Sequence, residues 1–421
     1  MPADRARLSP GRLLGWAAVA IAGGLAVSRA LHGPVTAPEP TRLNSTLTAG
    51  QDFRDATYFP LRELLRGGNP YRPSTMFEHW PVHQELDLYT PHHLLLQLPL
   101  AALAYRPALL VFSVVTIGWL VALAVLAART AALPGGALGA AALAVALLVS
   151  QLGKSAVDIG QINPLVGLGA ALALTQAGRR DRWAALGLAL AWVKPQYGIP
   201  LSLLLLARGL WRPVLTGTLG ALLASLPVLA VLLSRTGFAG FVADVRANLD
   251  YANSVPYSAL TAPDGARVDL AAVLVRLLGW GGPSTAVTVV EVLVPLVVLG
   301  SAAWLLARRR GLAMTPREQL LAGLALLLSL VHQPSETLLL VPAVVALLVA
   351  AARAEPDDDG RRRWWTAAAL LTSVGALRVS AVQTAVAGVV GARPERLVEG
   401  LSLLLAFVLA LILSRSRSQA D

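Results

Sequence analysis

The chain has 421 residues, 56% hydrophobic and 14% charged, with no cysteine and a formal charge of 35 − 24 = +11. A soluble globule carries about a quarter charged residues, so composition excludes that class. The absence of cysteine excludes disulfides, thiolate catalysis and cysteine metal sites. In a chain this apolar, excess arginine reads as inner-leaflet anchoring, not nucleic-acid binding.

Continuous apolar runs at Leu13–Leu31, Leu109–Ala128, Val214–Leu233, Val287–Ala307 and Leu401–Leu413 reach or approach the ~20 residues that cross ~30 Å of hydrocarbon. A β-barrel would alternate instead. The expected fold class is an all-α polytopic membrane protein. The first run follows Arg5, Arg7 and Arg12 and reads as an uncleaved signal anchor. Arginine recurs in short connections: Arg129, Arg179 to Arg182, Arg208 to Arg212, Arg308 to Arg310 with Arg317, Arg353 with Arg361 to Arg363, and Arg415 with Arg417. Placing these inside gives twelve crossings with both termini cytoplasmic, over 13–31, 107–128, 136–150, 163–177, 183–194, 195–207, 213–234, 284–307, 318–331, 335–353, 364–379 and 397–414. The organisation that follows is an N-terminal anchor (1–31), an extracytoplasmic loop (32–92), a helical bundle (93–234), a second extracytoplasmic loop (235–283) and a C-terminal bundle (284–421).

Chemistry-bearing residues follow in chain order. Asp52 and Asp55 stand at the start of an expected helix, Asp55–Arg66, closed by Gly67-Gly68. Three residues apart, they share a face if both are helical. Either could serve as a general base, or one could cap the helix while the other pairs with Arg54 or Arg62. Asn69-Pro70-Tyr71 reads as a turn after a helix C-cap. Tyr89-Thr90-Pro91 with His92 and His93 lies where the chain re-enters the membrane, and Pro91–Tyr105 reads as an amphipathic or half-inserted helix. The acids and histidines show no metal-ligand spacing, so no metal is expected. Gly160-Gln161-Ile162-Asn163-Pro164 opens a span. Its free N–H groups suit an anion or a sugar hydroxyl, and Asn163 before Pro164 equally suits a cap. Lys194, one of two lysines, falls between apolar segments before Pro195, and an ionisable residue at membrane depth is functional by default. His332 and Glu336, with Gln333 and Pro334, occupy a tight turn that could complete the same site. In this topology these polar groups all fall on the outer side. That pattern resembles a one-sided active site more than a transport path.

In order, Asp52-Phe53, Tyr58, Gly67-Gly68-Asn69-Pro70-Tyr71, Tyr89-Thr90-Pro91 through Leu94-Leu95-Leu96 to Pro99, Gly160-Gln161-Ile162-Asn163 and Lys194-Pro195-Gln196 resemble glycosyltransferase family 87. That family includes polyprenyl-phosphate-mannose-dependent mannosyltransferases. The resemblance implies a GT-C-type bundle, an active site in the first extracytoplasmic loop, a lipid-linked sugar donor and inversion at the anomeric carbon. It implies a catalytic aspartate in that loop, at Asp55 or Asp52, with Asp55 favoured for its proximity to Tyr58. Lys194, Arg54, His92 and His332 would hold the donor phosphate. Tyr58, Asn69, Tyr71, Tyr89, His93, Gln161, Asn163 and Gln196 would line the substrate site. The expected partners are a polyprenyl-phosphate sugar, a glycolipid or polysaccharide acceptor and membrane lipid, in a bacterial plasma membrane. No cofactor is expected. A flippase for a lipid-linked sugar and an accessory scaffold of envelope assembly are the alternatives from other classes.

Overall fold

The computed structural model of the protein describes residues 9–84, 88–255, 258–262, 267–282, 284–331, 334–353, 360–377 and 394–415. All regular structure among them is helical. Among the described residues five helices are long and apolar enough to cross a membrane: Pro10–Thr36, Tyr105–Thr130, Trp211–Ser254, Thr285–Ala307 and Leu397–Arg415. A pair bent by 65°, Ala137–Val149 with Gln151–Ile159, makes a sixth if it counts as one broken span. The expected twelve crossings are therefore not twelve long helices. Asn163–Gln176, Asp181–Ala191, Pro195–Ala207, Pro316–Ser329 and Val341–Ala352 are each 11 to 14 residues long. At 1.5 Å per residue they reach only about 16–21 Å. Proline and polar turns cut the apolar runs: Ser150 caps a new helix through Gly153 N–H, and Pro195 begins another directly after Lys194.

The helix Pro316–Ser329 is the centre of the packing. Leu320 through Leu328 are all buried, and a helix apolar on every side belongs in a core. It packs against Thr285–Ala307, Pro394–Arg415, Val341–Ala352 and Pro195–Ala207. Its start is fixed by a capping box between Thr315 and Glu318, which satisfies amides that the first turn leaves open. Arg208, fully buried, ties this end to its neighbours by donating to Leu312 O (2.9 Å) and Leu306 O (3.1 Å) and pairing with Glu318 (3.2 Å). Gly311 N–H in turn donates to Arg208 O (2.7 Å). Arginine-bearing turns thus meet at one end of the bundle. Elsewhere Asn163–Gln176 and Asp181–Ala191 cross through Gly169 and Gly187, where a Cβ on Gly169 would lie 2.7 Å from Gly187 O. Small residues at a crossing let two backbones approach and gain dispersion contacts, the usual glue of membrane helices.

The polar stretch after the first helix is largely helical. The expected helix Asp55–Arg66 begins four residues sooner, at Gln51, and passes through a π-helical turn, Arg54–Tyr58, before Phe59–Arg66. Single π-turns inside helices cluster at functional sites. The expected helix Pro91–Tyr105 is instead a short helix, His92–Gln97, followed by a 3-10 turn, Leu98–Ala102. The expected loop 235–283 also proves mostly ordered. The Trp211–Ser254 helix runs on past a break at Gly237 (φ 67°, ψ 171°), and Leu270–Leu277 is helical. Asp244, on that extension, binds Arg72 (2.8 and 3.1 Å) and Asn69 (2.6 Å), clamping the polar stretch to it.

Gly160 closes the helix Gln151–Ile159 with φ 75°, and a Cβ there would stand 2.6 Å from Phe53 Cβ. Gly67 has φ 105° but open space around its Cβ direction. Gly67→Ala should therefore cost about 1–2 kcal/mol of left-handed strain alone. Gly160→Ala should add about 1–3 kcal/mol of overpacking. Thermal unfolding in detergent or nanodiscs should show the larger loss for Gly160→Ala. Equal losses would mean that the contact between Gly160 and Phe53 carries no weight.

Candidate active site

Asp52 sits in the first turn of the helix that opens at Gln51 and is partly accessible to solvent. Gly50, in the left-handed region, sets that start and donates its N–H to Asp158 O at 2.7 Å. The contact brings the loop against the Gly160–Pro164 turn, and Phe53 packs on Gly160. Gln161 hydrogen-bonds the Asp52 carboxylate. The Asn163 side-chain amide donates to Gln161 Oε1 (3.4 Å), which turns the Gln161 NH₂ toward Asp52. Burial pushes Asp52 up to about 6, against the pull of the Gln161 bond and the Lys194 charge. The result is a carboxyl held near neutrality on a residue that is only partly buried, as suits a general base.

Lys194 is the nearby cation. It is the N-cap residue of Pro195–Ala207 and is 7% exposed. Its ammonium lies 2.5 Å from Glu336 Oε1, while Tyr197 OH donates to Glu336 Oε2 at 2.8 Å. The Tyr89 ring lies 5.7 Å from Lys194 Nζ. Tyr89 is held there by sequence neighbours: Thr90 N–H donates to Val193 O (3.0 Å) and Thr90 Oγ to Trp192 O (2.8 Å). The structure thus brings together Asp52, Gln161, Asn163, Lys194 and Tyr89 from the expected set. Tyr197 was not foreseen. Its signal was its place three residues after Lys194, on the same helical face.

Other expected residues are engaged elsewhere. Asp55 forms a buried bidentate pair with Arg54 (2.7 and 3.0 Å) and accepts from the backbone amides of His83 and Gln84 at its partly buried edge. Burial raises its pKa, with Arg54 and those amides pulling the other way. Both carboxylate oxygens and the Arg54 guanidinium are consumed in this pair. His92 is buried, with Nε2 donating to Ala189 O (3.2 Å) and Nδ1 facing Thr90 Oγ (2.9 Å) and Ser225 Oγ (3.3 Å). Burial lowers its pKa, which does not suit a phosphate-binding cation. His93 is fully buried and donates from Nε2 to Ala56 O (3.0 Å), within the π-helical turn. Burial pushes it down to about 4, so it is neutral near pH 7. Tyr58 donates to Leu103 O (3.0 Å) inside an aromatic cluster with Phe53, Phe59 and Tyr105. Asn69 accepts from Tyr71 N–H (3.0 Å), and Tyr71 OH donates to Tyr89 O (2.8 Å). These side chains are engaged with the polar stretch and its neighbours and are not among those gathered around Asp52 and Lys194. Gln196 is partly exposed in the first turn after Lys194. His332 lies outside the described residues. Among the described residues no group of three or more His, Asp and Glu side chains could hold a metal ion.

If Gln161 holds the ionised form of Asp52, Gln161→Leu removes a bond to a charged acceptor, a bond worth about 1.5–3 kcal/mol. Asp52 should then titrate at least about one pH unit higher, read from its carboxyl stretch by infrared difference spectroscopy against Asp52→Asn. An unmoved titration would contradict this role for Gln161.

The sequence profile of glycosyltransferase family 87 matches residues 88–334, more than half of the chain. The match takes in Tyr89, Gln161, Asn163 and Lys194, and it begins after the helix that carries Asp52. No curated protein and no solved structure matches. With five or six membrane-length helices and this profile match, the chain belongs to glycosyltransferase family 87.

Proposed function

We propose that this chain is an integral membrane glycosyltransferase that moves a sugar, mannose in the first instance, from a polyprenyl-phosphate donor to an envelope glycolipid or polysaccharide. The observation that carries this reading is Asp52: a carboxyl that burial raises to about 6, hydrogen-bonded by Gln161 and coupled to the Lys194 ammonium. Family membership supplies the reaction class.

In the proposed step an acceptor hydroxyl attacks the anomeric carbon as the bond from that carbon to the phosphate oxygen breaks. Asp52 takes the hydroxyl proton, and attack from the face opposite the phosphate inverts the centre. Polyprenyl phosphate leaves as an anion, and Lys194 faces the charge that grows on it. Holding two membrane-bound substrates in one orientation supplies a further part of the rate. The roles expected for Arg54 and His92 pass to Lys194, because Arg54 is neutralised by Asp55 and His92 is buried with its pKa lowered. Asp52 replaces Asp55 as the favoured base, because no lone pair directed at a substrate is left over from the Arg54, His83 and Gln84 bonds.

In this reading the site faces the extracytoplasmic side of a bacterial plasma membrane, with both termini cytoplasmic. The gathering of Arg208 and the 308–313 turn at one end of the bundle supports that orientation. A twelve-crossing GT-C-type bundle fits if the short helices contribute partial crossings, which membranes tolerate where such helices are buried in protein.

The test is transfer from radiolabelled polyprenyl-phosphate-mannose to a crude lipid extract by the reconstituted protein, with the arabinose donor run in parallel. Asp52→Asn should lower transfer by about 10²–10⁴-fold, the share of a general base, and leave donor binding in place. The base must be ionised, so the wild-type rate should fall as pH drops through about 6, not near the ordinary ~4 of an aspartate. Asp55→Asn should act on stability instead, because it strands a buried guanidinium at a cost of about 3–5 kcal/mol. An Asp55→Asn protein of full stability and no activity would return the base to Asp55. A labelled donor carried across the membrane with no glycolipid formed would turn the reading to transport.

A further inference from the structure

Lys194, the extended residue that caps Pro195–Ala207, and Tyr197, in the first turn of that helix, both reach to one carboxylate on the Pro334–Leu340 turn. Lys194 takes Oε1 of Glu336 at 2.5 Å and Tyr197 takes Oε2 at 2.8 Å, so each oxygen has its own anchor. All three side chains are buried. The pair closes 142 residues of sequence. An ammonium has three N–H donors. Glu336 claims one direction, the Tyr89 ring covers one side at 5.7 Å, and Asp52 is close enough to feel the charge.

The geometry points to Glu336 as a positioning residue, one that fixes the Lys194 ammonium beside Asp52 and shares it with the departing phosphate. The inference rests on the transferase reading. A lysine on four rotatable bonds would otherwise sample many positions around the leaving oxygen. A fixed ammonium stabilises developing charge without reorganising during the step. The carboxylate also opposes the phosphate for the same cation, so the product anion is not held at full strength. Glu336 therefore acts mainly on the chemical step and, by opposing the anion, keeps binding from becoming too tight. A clip that only held the fold together would not separate those two effects.

The test uses full-length protein in nanodiscs, with the polyprenyl-phosphate sugar that the wild type accepts. Glu336→Gln keeps the shape and an acceptor for Tyr197 but loses the charge. We expect kcat to fall about tenfold or more while the donor KM stays level or drops, the pattern of an interaction realised in the transition state. Unchanged kcat, or a raised KM with kcat intact, overturns the inference. Should Glu336→Gln fail to fold, Tyr197→Phe carries the same test. It leaves the ion pair and removes the second anchor, so kcat should fall by about threefold or more with KM held, and full kcat overturns the inference. Wild-type protein that transfers nothing from any polyprenyl-phosphate sugar sinks the transferase reading and this inference with it. Wild-type transfer with unaffected variants sinks the positioning role alone.

Discussion

A lysine ammonium buried within an apolar helical bundle must be matched by opposite charge or lose several kcal/mol to desolvation. In this protein the match is Glu336, reached from the far end of the chain and steadied by Tyr197. That requirement dictates much of the local architecture. The helix Pro195–Ala207 starts directly after Lys194, so the ammonium emerges where two short helices meet. The turn before it is stitched to Thr90, which lays Tyr89 along the lysine. The polar loop then approaches from the other side and brings Asp52 into the field of the same charge.

The loop is held by its own ion pairs, one of them buried, and these differ in kind from the site. Arg54 pairs with Asp55 and Arg72 with Asp244, and Asn69 joins the second pair. Asp52 has a hydrogen bond to Gln161 and burial that raises it, and no ion pair takes up its carboxylate among the described residues. Two aspartates on one helix are thereby given different work. One is fixed as an ion-pair partner, and the other keeps a proton affinity suited to chemistry near neutral pH. Environment, not residue type, separates them.

How much of this was legible in the sequence depended on whether local or long-range forces decide the feature. Apolar run length announced the helical membrane class and the five longest helices, since crossing a bilayer needs a fixed number of apolar residues. The Gly160–Pro164 turn and Lys194-Pro195 stood out because glycine, proline and a lone lysine are costly inside apolar segments. Five of the twelve expected crossings are membrane-length helices among the described residues, while others are short helices, because apolarity marks burial in protein as well as in lipid: Leu320 to Leu328 form the core of the bundle. Asp55 was favoured over Asp52 because closeness to Tyr58 is readable from sequence; an Arg54 pair was among the readings, but which aspartate it takes, and the two amides 28 and 29 residues on, are set by the tertiary fold. Tyr197 and Glu336 lie 139 residues apart, and nothing in either neighbourhood announces their contact. The second polar loop hid a helix because Gly237 and the polar residues after it read as loop, while Asp244 and Arg72 order it through a tertiary pair.

In the proposed step Asp52 and Lys194 flank the reacting bond. The most direct measurement is a cryo-EM structure of the full chain with a non-transferable phosphonate analogue of the polyprenyl-phosphate sugar. The account predicts a phosphonate oxygen in hydrogen-bond contact with Lys194 Nζ and the anomeric carbon turned toward Asp52, with the pairing of Arg54 and Asp55 intact. A phosphonate seated away from Lys194, or an anomeric carbon facing an Asp55 released from Arg54, would contradict it.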